Sequence, residues 1–295
     1  MSLTNKTYKF SIIIPTYNRA ADLDRCLNSL ADQSFNDFEV IVCDDGSIDH
    51  TSQIVDRYIN KLNLVYIRSD NWGGPARPRN MGIAAANTEW LCFLDSDDWY
   101  TNNRLEYLSK LDLDNYDLIY HDLTIVKDGI PGKAIKSRQL KNNAYHDLLF
   151  NLNAIPTSST CVRKSAIVEA GGFSLNKEIV GLEDFDLWMK IAMKGVRAKY
   201  LPVTLGYYAI GNDNITFKDE RQIQRFKALY AMYLQTLKTF NEKRKTSGAL
   251  DYQIAYVYTQ GNQTGKALPF LMRSFLKGSI SIKIKSIYKF FICIL

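Results

Sequence analysis

The first 125 residues alternate short apolar runs with the periodic apolar faces of helices. Each run is rich in aliphatic and aromatic side chains, and a polar or glycine-containing segment ends it. The runs are residues 10–14, 38–43, 64–67, 90–94 and 117–120. Because strands buried on both faces are nearly continuous apolar runs, this alternation predicts an α/β fold, a mostly parallel sheet with helices on both faces.

Polar clusters follow three of these runs, at residues 16–19, 44–47 and 95–98. Right-handed crossovers bring the carboxyl ends of parallel strands to one edge of the sheet, where ligands bind. The last cluster, Asp-Ser-Asp-Asp, holds three carboxylates that repel one another beside apolar packing, so a cation should offset them. Hard oxygen ligands suit Mg²⁺ or Mn²⁺. Taken alone, this segment is also typical of a solvated acidic turn.

These clusters, together with Arg79, predict a crevice suited to a nucleoside diphosphate. An aromatic ring stacks on the base, carboxylates accept from base or ribose, and a metal ion neutralises the pyrophosphate. The sequence contains neither GxGxxG after the first run nor GxxxxGK[ST]. The glycine-rich phosphate loops of other nucleotide-binding folds are therefore not expected.

Composition excludes several classes of protein. With 295 residues, of which 46% are hydrophobic, the chain can bury a globular core. Its five cysteines are scattered without a CxxC pair, which indicates reduced thiols and no zinc site. No signal peptide is recognisable, and no apolar stretch reaches about 20 residues, so we expect a cytoplasmic protein without a transmembrane helix.

The positive charge is concentrated near the C-terminus. The net charge of +6 equals the six basic residues that follow Asp251, a stretch without an acidic residue. The apolar residues that recur there at helical spacing are Ile280, Ile284, Ile287, Phe291 and Ile294. A basic amphipathic segment predicts a peripheral position on a membrane surface that contains anionic lipids. A helix packed on the rest of the protein is the alternative, and residues 279–285 also alternate like a strand.

Several segments resemble, in order and spacing, the motifs of family 2 glycosyltransferases of the GT-A fold. They are residues 11–18, 42–47, 76–82, 93–98, 171–173 and 183–188. The resemblance runs from residue 8 to about residue 200 and leaves the C-terminal part uncovered. It implies a Rossmann-like, mostly parallel sheet flanked by helices, followed by a helical C-terminal extension.

We expect the catalytic domain at residues 1–210 and the extension at 211–295. Within the catalytic domain, residues 1–125 are the expected nucleotide-binding half and 126–210 the acceptor half. The resemblance implies an inverting hexosyl- or N-acetylhexosaminyltransferase that requires Mn²⁺ or Mg²⁺. It would move sugar from a nucleotide-sugar, with UDP-sugar expected, to a saccharide or polyprenyl-linked saccharide in cell-surface polysaccharide synthesis. We expect no nucleic-acid partner.

The resemblance also implies roles for donor-binding residues. They are Pro15, Thr16, Tyr17, Arg19, Asp44, Asp45, Arg79, Asp95 and Ser96. Thr16 and Tyr17 resemble the residues that frame the nucleobase, and Asp45 resembles the carboxylate that accepts from uracil N3. Asp97 resembles the metal-binding aspartate, and Asp95 the carboxylate near both ribose and metal.

Two of these assignments have a competitor. Arg77 lies close enough in sequence to Arg79 to compete for its role. In addition, this chain has Pro78 at the position where the family usually has alanine. Asp98 is either a weaker metal ligand or the cap of the following helix.

Glu183 and Asp184 resemble the family's acidic pair. The resemblance implies that Asp184 is the general base for the acceptor hydroxyl and that Glu183 orients donor or acceptor. A single displacement would then invert the anomeric configuration. Acidic residues in the first turn of a helix are also stabilised by the macrodipole, by about 0.3–1 kcal/mol, so a purely structural role competes.

Two departures from the family pattern bear on the function. Residues 208–212 lack the histidine that often approaches the metal, and residues 222–226 resemble the QxxRW motif of processive synthases but end in Phe226. We therefore expect a non-processive enzyme.

Two alternative functions stay open: a nucleotide- or carbohydrate-binding protein of this fold without turnover, and a sugar nucleotidyltransferase. The latter would need a glycine-rich segment where this chain has Pro-Thr-Tyr-Asn at 15–18.

Overall fold

A computed structural model describes residues 8–211 and 219–294. It divides into two compact units, which we call the sheet unit and the helical unit. The described residues of the sheet unit are 8–140, 155–174 and 194–211, and those of the helical unit are 141–154, 175–193 and 219–294. Two internal segments are thus grouped with the C-terminal helices, whereas the sequence analysis placed them in the catalytic region.

The sheet unit is built on nine hydrogen-bonded strands among the described residues. They are β1 (Phe10–Thr16), β2 (Phe38–Asp44), β3 (Leu64–Arg68), β4 (Trp90–Phe93), β5 (Trp99–Tyr100), β6 (Leu118–Lys127), β7 (Ile130–Ile135), β8 (Cys161–Arg163) and β9 (Ala198–Ile210). Their order is β3-β2-β1-β4-β8-β6-β9-β5, with β7 paired to β6. The first four are parallel neighbours, and β8 runs antiparallel to β4 and β6. The expected mostly parallel GT-A-type sheet is confirmed.

The parallel strands carry the core and fix the position of the predicted crevice. Every residue of β1, β2 and β4 is buried, which explains their apolar sequences. The register places Thr16 beside Asp44 and Ile13 beside Phe93. The carboxyl ends of the three strands therefore lie at one edge, as predicted. Strand order reverses between β1 and β4, the place where open α/β sheets bind ligands.

Helices flank the sheet and make up the helical unit. They are α1 (Ala20–Ala31), α2 (Thr51–Asp56), α3 (Ala76–Ala85), α4 (Arg104–Ser109), α5 (Ala144–Asn151), α6 (Lys164–Glu169), α7 (Glu183–Met193), α8 (Glu220–Leu234), α9 (Phe240–Gln260), α10 (Thr264–Lys277) and α11 (Ile280–Ile294). In the sheet unit, α3 packs closely on β1 because of Gly82. A Cβ there would lie 2.5 Å from Cγ2 of Ile13.

The sequence alone predicts one long helix from Lys218 to Phe240, and this prediction is wrong for the described part of that stretch. Helix α8 ends at Leu234, and α9 begins at Phe240; Lys218 lies outside the described residues. Thr239 caps α9 through the amide of Glu242, whose side chain accepts from the Thr239 amide in return. This capping box starts a new helix although the apolar periodicity continues.

The C-terminal segment of the helical unit is a helix, α11, and the strand alternative is wrong. Ile282 and Ser286 are buried, and the Ser286 hydroxyl lies 2.6 Å from that of Ser274 on α10. Ile284 and Phe291, on the predicted apolar face, are exposed instead. None of the helices described here is both long and apolar enough to span a bilayer.

Candidate active site

The structure brings the nine predicted donor-binding residues together in the sheet unit. Residues 15–19 end or follow β1, residues 44–45 end or follow β2, and residues 95–96 follow β4. Arg79 reaches this edge from α3, where it is buried, and its Nη2 donates to Oδ1 of Asp95 at 2.6 Å. Arg77, the competing arginine, is only partly buried. The geometry therefore favours Arg79 for the charged contact at this edge.

Asp44 is held by donors of the protein itself. Its Oδ1 accepts from the amide of Ser47 at 2.8 Å and from the Ser47 hydroxyl at 2.6 Å. Its Oδ2 accepts from the hydroxyl of Tyr66 at 2.5 Å, and Nε of Arg68 lies 3.8 Å away. Burial and the neighbouring Asp44 raise the pKa of Tyr66. The carboxylate thus joins β2 to its following turn and to β3.

Asp45 organises the loop before α3. Its carboxylate accepts from the amides of Trp72, Gly73 and Gly74 at 2.8, 2.9 and 3.3 Å. The next residue, Gly46, has φ of +83°, and a Cβ there would lie 2.8 Å from the amide nitrogen of Asn71. Sequence reasoning predicted a base-binding role and missed this loop-holding role, because amides more than 25 residues away leave no local pattern.

The residues after β1 present one exposed ring and one buried hydroxyl. Tyr17 is 44% exposed, so its ring is available for stacking on a planar group. Thr16 is buried, and within the described part of the chain its Oγ1 has no hydrogen-bond partner. Nη1 of Arg19 lies 3.3 Å from Oδ2 of Asp97, so this arginine links the ends of β1 and β4.

Asp95 and Asp97 remain partly accessible, with side chains 30% and 21% exposed. Burial raises the pKa of Asp97 to about 6, and the negative charge of Asp95 adds to the effect. Arg19 lowers it in part. The ionised form of Asp97 would therefore be favoured by a further positive charge at this edge.

The residues present fit a divalent cation. Asp95 and Asp97 supply hard oxygen atoms, and Mg²⁺ commonly binds through one or two carboxylates plus substrate phosphates. In the described ranges, no group of three His, Cys, Asp or Glu side chains is arranged to hold a metal ion. Asp95 and Asp97 would therefore need phosphate oxygens or water to complete the coordination.

Asp98 serves the structure of the sheet unit. It is 1% exposed, accepts from the hydroxyl of Ser158 and, through Oδ1, from the amide of Ala209 at 2.9 Å. The Ser158 hydroxyl also accepts from the amide of Asp95 at 3.1 Å. Sequence analysis missed Ser158, which lies 60 residues from Asp98.

The segment 208–212 contains no histidine. Its residues 208–210 are the last residues of β9, Gly211 follows the strand, and Asn212 lies outside the described residues.

The Gly-Gly-Phe turn supports Arg79. Asn80 forms two hydrogen bonds of 2.9 Å with the backbone of Phe173, one to the amide and one to the carbonyl. Gly172 has φ of +71°, and a Cβ there would lie 2.9 Å from Oδ1 of Asn80. The guanidinium of Arg79 stands 5.1 Å from the centre of the Phe173 ring. Two motifs 90 residues apart in sequence thereby fix one arginine.

The predicted acidic pair opens α7 in the helical unit. Glu183 is 3% exposed, and its Oε2 accepts from the amide of Gly181. Asp184 is partly exposed, and its Oδ1 accepts from the amide of Phe185 at 2.6 Å. In the same first turn, Asp186 is fully buried and accepts from the hydroxyl of Tyr233 at 2.6 Å. Within its unit, Asp184 is thus the more accessible member of the pair.

Comparison with known proteins shows which family has this arrangement. The family model for glycosyl transferase family 2 matches residues 11–169, more than half of the chain. The poly(ribitol-phosphate) beta-N-acetylglucosaminyltransferase TarS of Staphylococcus aureus is 35% identical over 206 residues, which cover 68% of this chain and 35% of TarS. This chain thus spans about a third of the length of that relative.

A second relative covers more of both chains. The GalNAc(5)-diNAcBac-PP-undecaprenol beta-1,3-glucosyltransferase of Campylobacter jejuni is 27% identical over 249 residues, covering 83% of this chain and 78% of the relative.

Solved structures share the fold. The crystal structure of S. aureus TarS 1–349 in complex with UDP-GlcNAc has a TM-score of 0.68 at 23% identity, covering 93% of this chain and 82% of the other. The mannosyltransferase PcManGT from Pyrobaculum calidifontis, in complex with GDP-Man and Mn²⁺, has a TM-score of 0.62 at 18% identity, covering 98% and 82%. With its motifs, sheet order and family match in agreement, the chain belongs to glycosyl transferase family 2.

Proposed function

We propose that the protein is an inverting, metal-dependent, non-processive glycosyltransferase that uses a nucleotide-sugar, with UDP-sugar as the expected donor. The observation that carries the proposal is the edge at the ends of β1 and β4. There an exposed aromatic ring, a buried arginine and two accessible carboxylates lie together (Tyr17, Arg79, Asp95 and Asp97). TarS complexes with UDP and with UDP-GlcNAc support UDP as the nucleotide.

Each residue of this edge has its own role in the proposed binding of the donor. Tyr17 stacks on the base, while Thr16 offers its buried hydroxyl beside it. Asp45, with Asp44 beside it, accepts from uracil N3, and its carboxylate also holds the loop at 72–74. The amide of Asp45 donates to the Thr16 carbonyl at 2.9 Å, which places Asp45 beside the end of β1. Asp95 and Asp97 would hold Mn²⁺ or Mg²⁺, and the Mn²⁺ complex of PcManGT supports this assignment. Pro15 and Ser96 are buried residues that shape the edge, and Arg19 orients Asp97.

Transfer requires a base and a stabilised leaving group. Asp184 takes the proton of the acceptor hydroxyl as the oxygen attacks the anomeric carbon, and Glu183 orients donor or acceptor. The bond from that carbon to the diphosphate breaks as the new glycosidic bond forms, so configuration inverts. A bound cation would supply positive charge to the departing diphosphate. Arg79, fixed between Asp95 and Phe173, holds the carboxylate in place.

The acceptor is proposed to be a saccharide, either polymeric or linked to a polyprenyl lipid, in cell-surface polysaccharide synthesis. The names of the two relatives support this class, since one acts on poly(ribitol-phosphate) and the other on a diphospho-undecaprenol saccharide. A lipid-linked acceptor would place the enzyme at the inner face of the cytoplasmic membrane as a peripheral protein. Residues 211–295 would form the extension that serves this location.

A donor screen tests the proposal. The full chain is incubated with UDP-, GDP- and dTDP-sugars, with Mn²⁺, Mg²⁺ or chelator, and nucleotide release is measured. We expect slow release of UDP from one or a few UDP-sugars, only with metal. Binding without turnover, even with saccharide and lipid-linked acceptors, would favour the non-catalytic alternative. Formation of a nucleotide-sugar from a sugar 1-phosphate and a nucleoside triphosphate would favour a nucleotidyltransferase.

A further inference from the structure

A cavity of about 410 Å³ lies within the helical unit. Its walls come from three segments that are distant in sequence: residues 141–151, at and before α5; residues 244–245, in α9; and residues 278–283, at the start of α11. Neither the family motifs nor the proposed transfer chemistry uses these segments.

The charge of the cavity wall is strongly positive. Four basic residues line it, namely Lys141, Arg244, Lys245 and Lys283. Asp147 is the acidic residue of the lining, and its carboxylate accepts from the backbone amide of Lys141 at 3.1 Å and from Asn151 at 2.6 Å. The lining therefore carries a net charge of about +3, which favours an anion. Glu242, 3.4 Å from the lining His146, is engaged in the capping box of α9.

The first turn of α11 also faces this cavity. Ser279 is the cap, since its hydroxyl accepts from the amide of Ile282 at 3.2 Å and donates to Asn151. The amides of Ile280 and Ser281 belong to the first turn of a helix of 15 residues, where an α-helix provides no carbonyl partner and the macrodipole is positive. Helix termini of this kind bind phosphate groups. The cavity thus offers both ion-pairing cations and oriented amides.

An exposed apolar surface adjoins the cavity. Ile280 lines the cavity and is 79% exposed, and Ile284 and Ile287, exposed by 63% and 45%, continue the same stripe of α11. Nζ of Lys283 lies 5.9 Å from the ring of Phe275, an exposed residue of α10. If the anionic group of a ligand occupies the cavity, the rest of that ligand therefore contacts apolar surface at the edge of the cavity. This combination suits an amphiphile rather than a soluble phosphate ester.

We propose that this cavity binds the phosphate group of an anionic membrane lipid, while Ile280, Ile284 and Ile287 enter the bilayer interface. We infer an anionic lipid as the partner because residues 252–295 contain six basic residues and no acidic one. Juxtaposed basic and apolar side chains are the two attractions that hold interfacial helices on anionic bilayers. The site does not depend on glycosyl transfer, so it is tested separately from donor hydrolysis.

The test measures partitioning of the full chain onto vesicles of phosphatidylglycerol and phosphatidylcholine, or of phosphatidylcholine alone, at low and high salt. The cavity variant combines Lys141→Gln with Lys245→Gln. Its matched control combines Lys266→Gln with Lys289→Gln, which removes the same charge from side chains that stand over Tyr258 and Tyr256. We expect the cavity variant to lose about 30-fold in affinity for anionic vesicles and the control about threefold. Both should retain donor hydrolysis.

A second variant separates lipid from soluble phosphate. Ile280→Ser with Ile284→Ser should weaken vesicle binding at every salt concentration and leave affinity for inorganic phosphate unchanged. Equal losses in the cavity variant and its control would overturn the site in favour of diffuse charge. Inorganic phosphate that competes with vesicles at equal concentration of phosphate groups would show a site for soluble phosphate instead. Absence of binding to anionic vesicles at low salt would overturn the proposal entirely.

Discussion

Two pairs of acidic residues sit at the same edge of the sheet, yet their surroundings differ. Asp44 and Asp45, at the end of β2, are 2% and 3% exposed and accept hydrogen bonds from protein donors. Asp95 and Asp97, after β4, are partly exposed, and arginines are their ion-pair partners. The first pair holds the turn and loop, while the second is partly accessible to solvent. Adjacent positions at a binding edge do not imply equal roles.

The two pairs differ in how far protein donors already satisfy their carboxylates. Asp44 accepts from three protein donors within 2.8 Å. Asp97 has its pKa raised to about 6 by burial and by Asp95, so it gains from any cation that approaches. The same distinction applies in the helical unit, where Glu183 is more buried than Asp184.

The largest expected effect is on turnover. Asp97→Asn should lower metal-dependent release of UDP by about 10³-fold, because charge stabilisation of the leaving diphosphate by a metal is worth several kcal/mol. Steady-state hydrolysis of the preferred donor measures it. The control is Asp22→Asn, which removes a partly exposed carboxylate that also contacts Arg19. If both variants keep wild-type turnover, Asp97 does not carry the metal.

The next effect concerns the acidic pair of α7. Asp184→Asn should lower transfer to the acceptor by about 10²–10⁴-fold, the range typical of a lost general base, and leave UDP affinity intact. Glu183→Gln should change stability as well, because Glu183 is buried. Single-turnover transfer and a UDP titration on the same preparations separate the two roles. Loss of UDP affinity with retained transfer would reassign Asp184.

For the free energy of unfolding we expect the opposite order, with a larger effect from substitution of Asp44 than from substitution of Asp97. Asp44→Ala should lower the free energy of unfolding by about 3 kcal/mol, because it leaves several donors near a buried site unpaired. Tyr66→Phe removes one of these donors and should cost about 1 kcal/mol. Asp97→Ala in metal-free buffer should cost nothing. Chemical denaturation measures all three, and an Asp44→Ala protein of normal stability that no longer binds UDP would contradict the structural role.

The smallest effect is a pH dependence. The pKa of Asp97 is about 6 in the folded protein and near 3.8 ordinarily, so between these values the folded state binds more protons than the unfolded state. Stability in metal-free buffer should therefore rise as pH falls from about 7 to 4, by about 1–2 kcal/mol more in the wild type than in Asp97→Asn. Denaturation midpoints across this range check the sign. Parallel pH profiles for the two proteins would refute the shift.

The sequence predicted the parallel half of the sheet well, because buried strands must be apolar runs. Residues 38–43 became β2, Phe38–Asp44, and residues 64–67 became β3, Leu64–Arg68. Strand β8 was missed, since three residues give no detectable periodicity. The break between α8 and α9 was also missed, although Thr239 and Glu242 form a recognisable capping box.

For the site, the sequence predicted which residues gather at the edge but not what each one touches. Once the strands are known, their parallel pairing places the polar residues that follow them at the same edge of the sheet. The donors to Asp45 and the hydroxyl of Ser158 come from segments that only the folded chain brings close. Pattern alone therefore could not separate Asp44 from Asp97, because both are aspartates in acidic clusters at the carboxyl ends of buried strands.

The proposed function requires that Asp97 and the donor diphosphate share one metal ion. The most direct test is the shift in melting temperature caused by UDP, measured for wild type and Asp97→Asn with Mn²⁺ and with chelator. At 100 times the dissociation constant, a ligand that binds only the folded state adds about 2.7 kcal/mol. We predict this protection for wild type with Mn²⁺, and little in chelator or in Asp97→Asn. Equal protection of wild type by UDP in chelator would show that no metal ion is shared between Asp97 and the diphosphate.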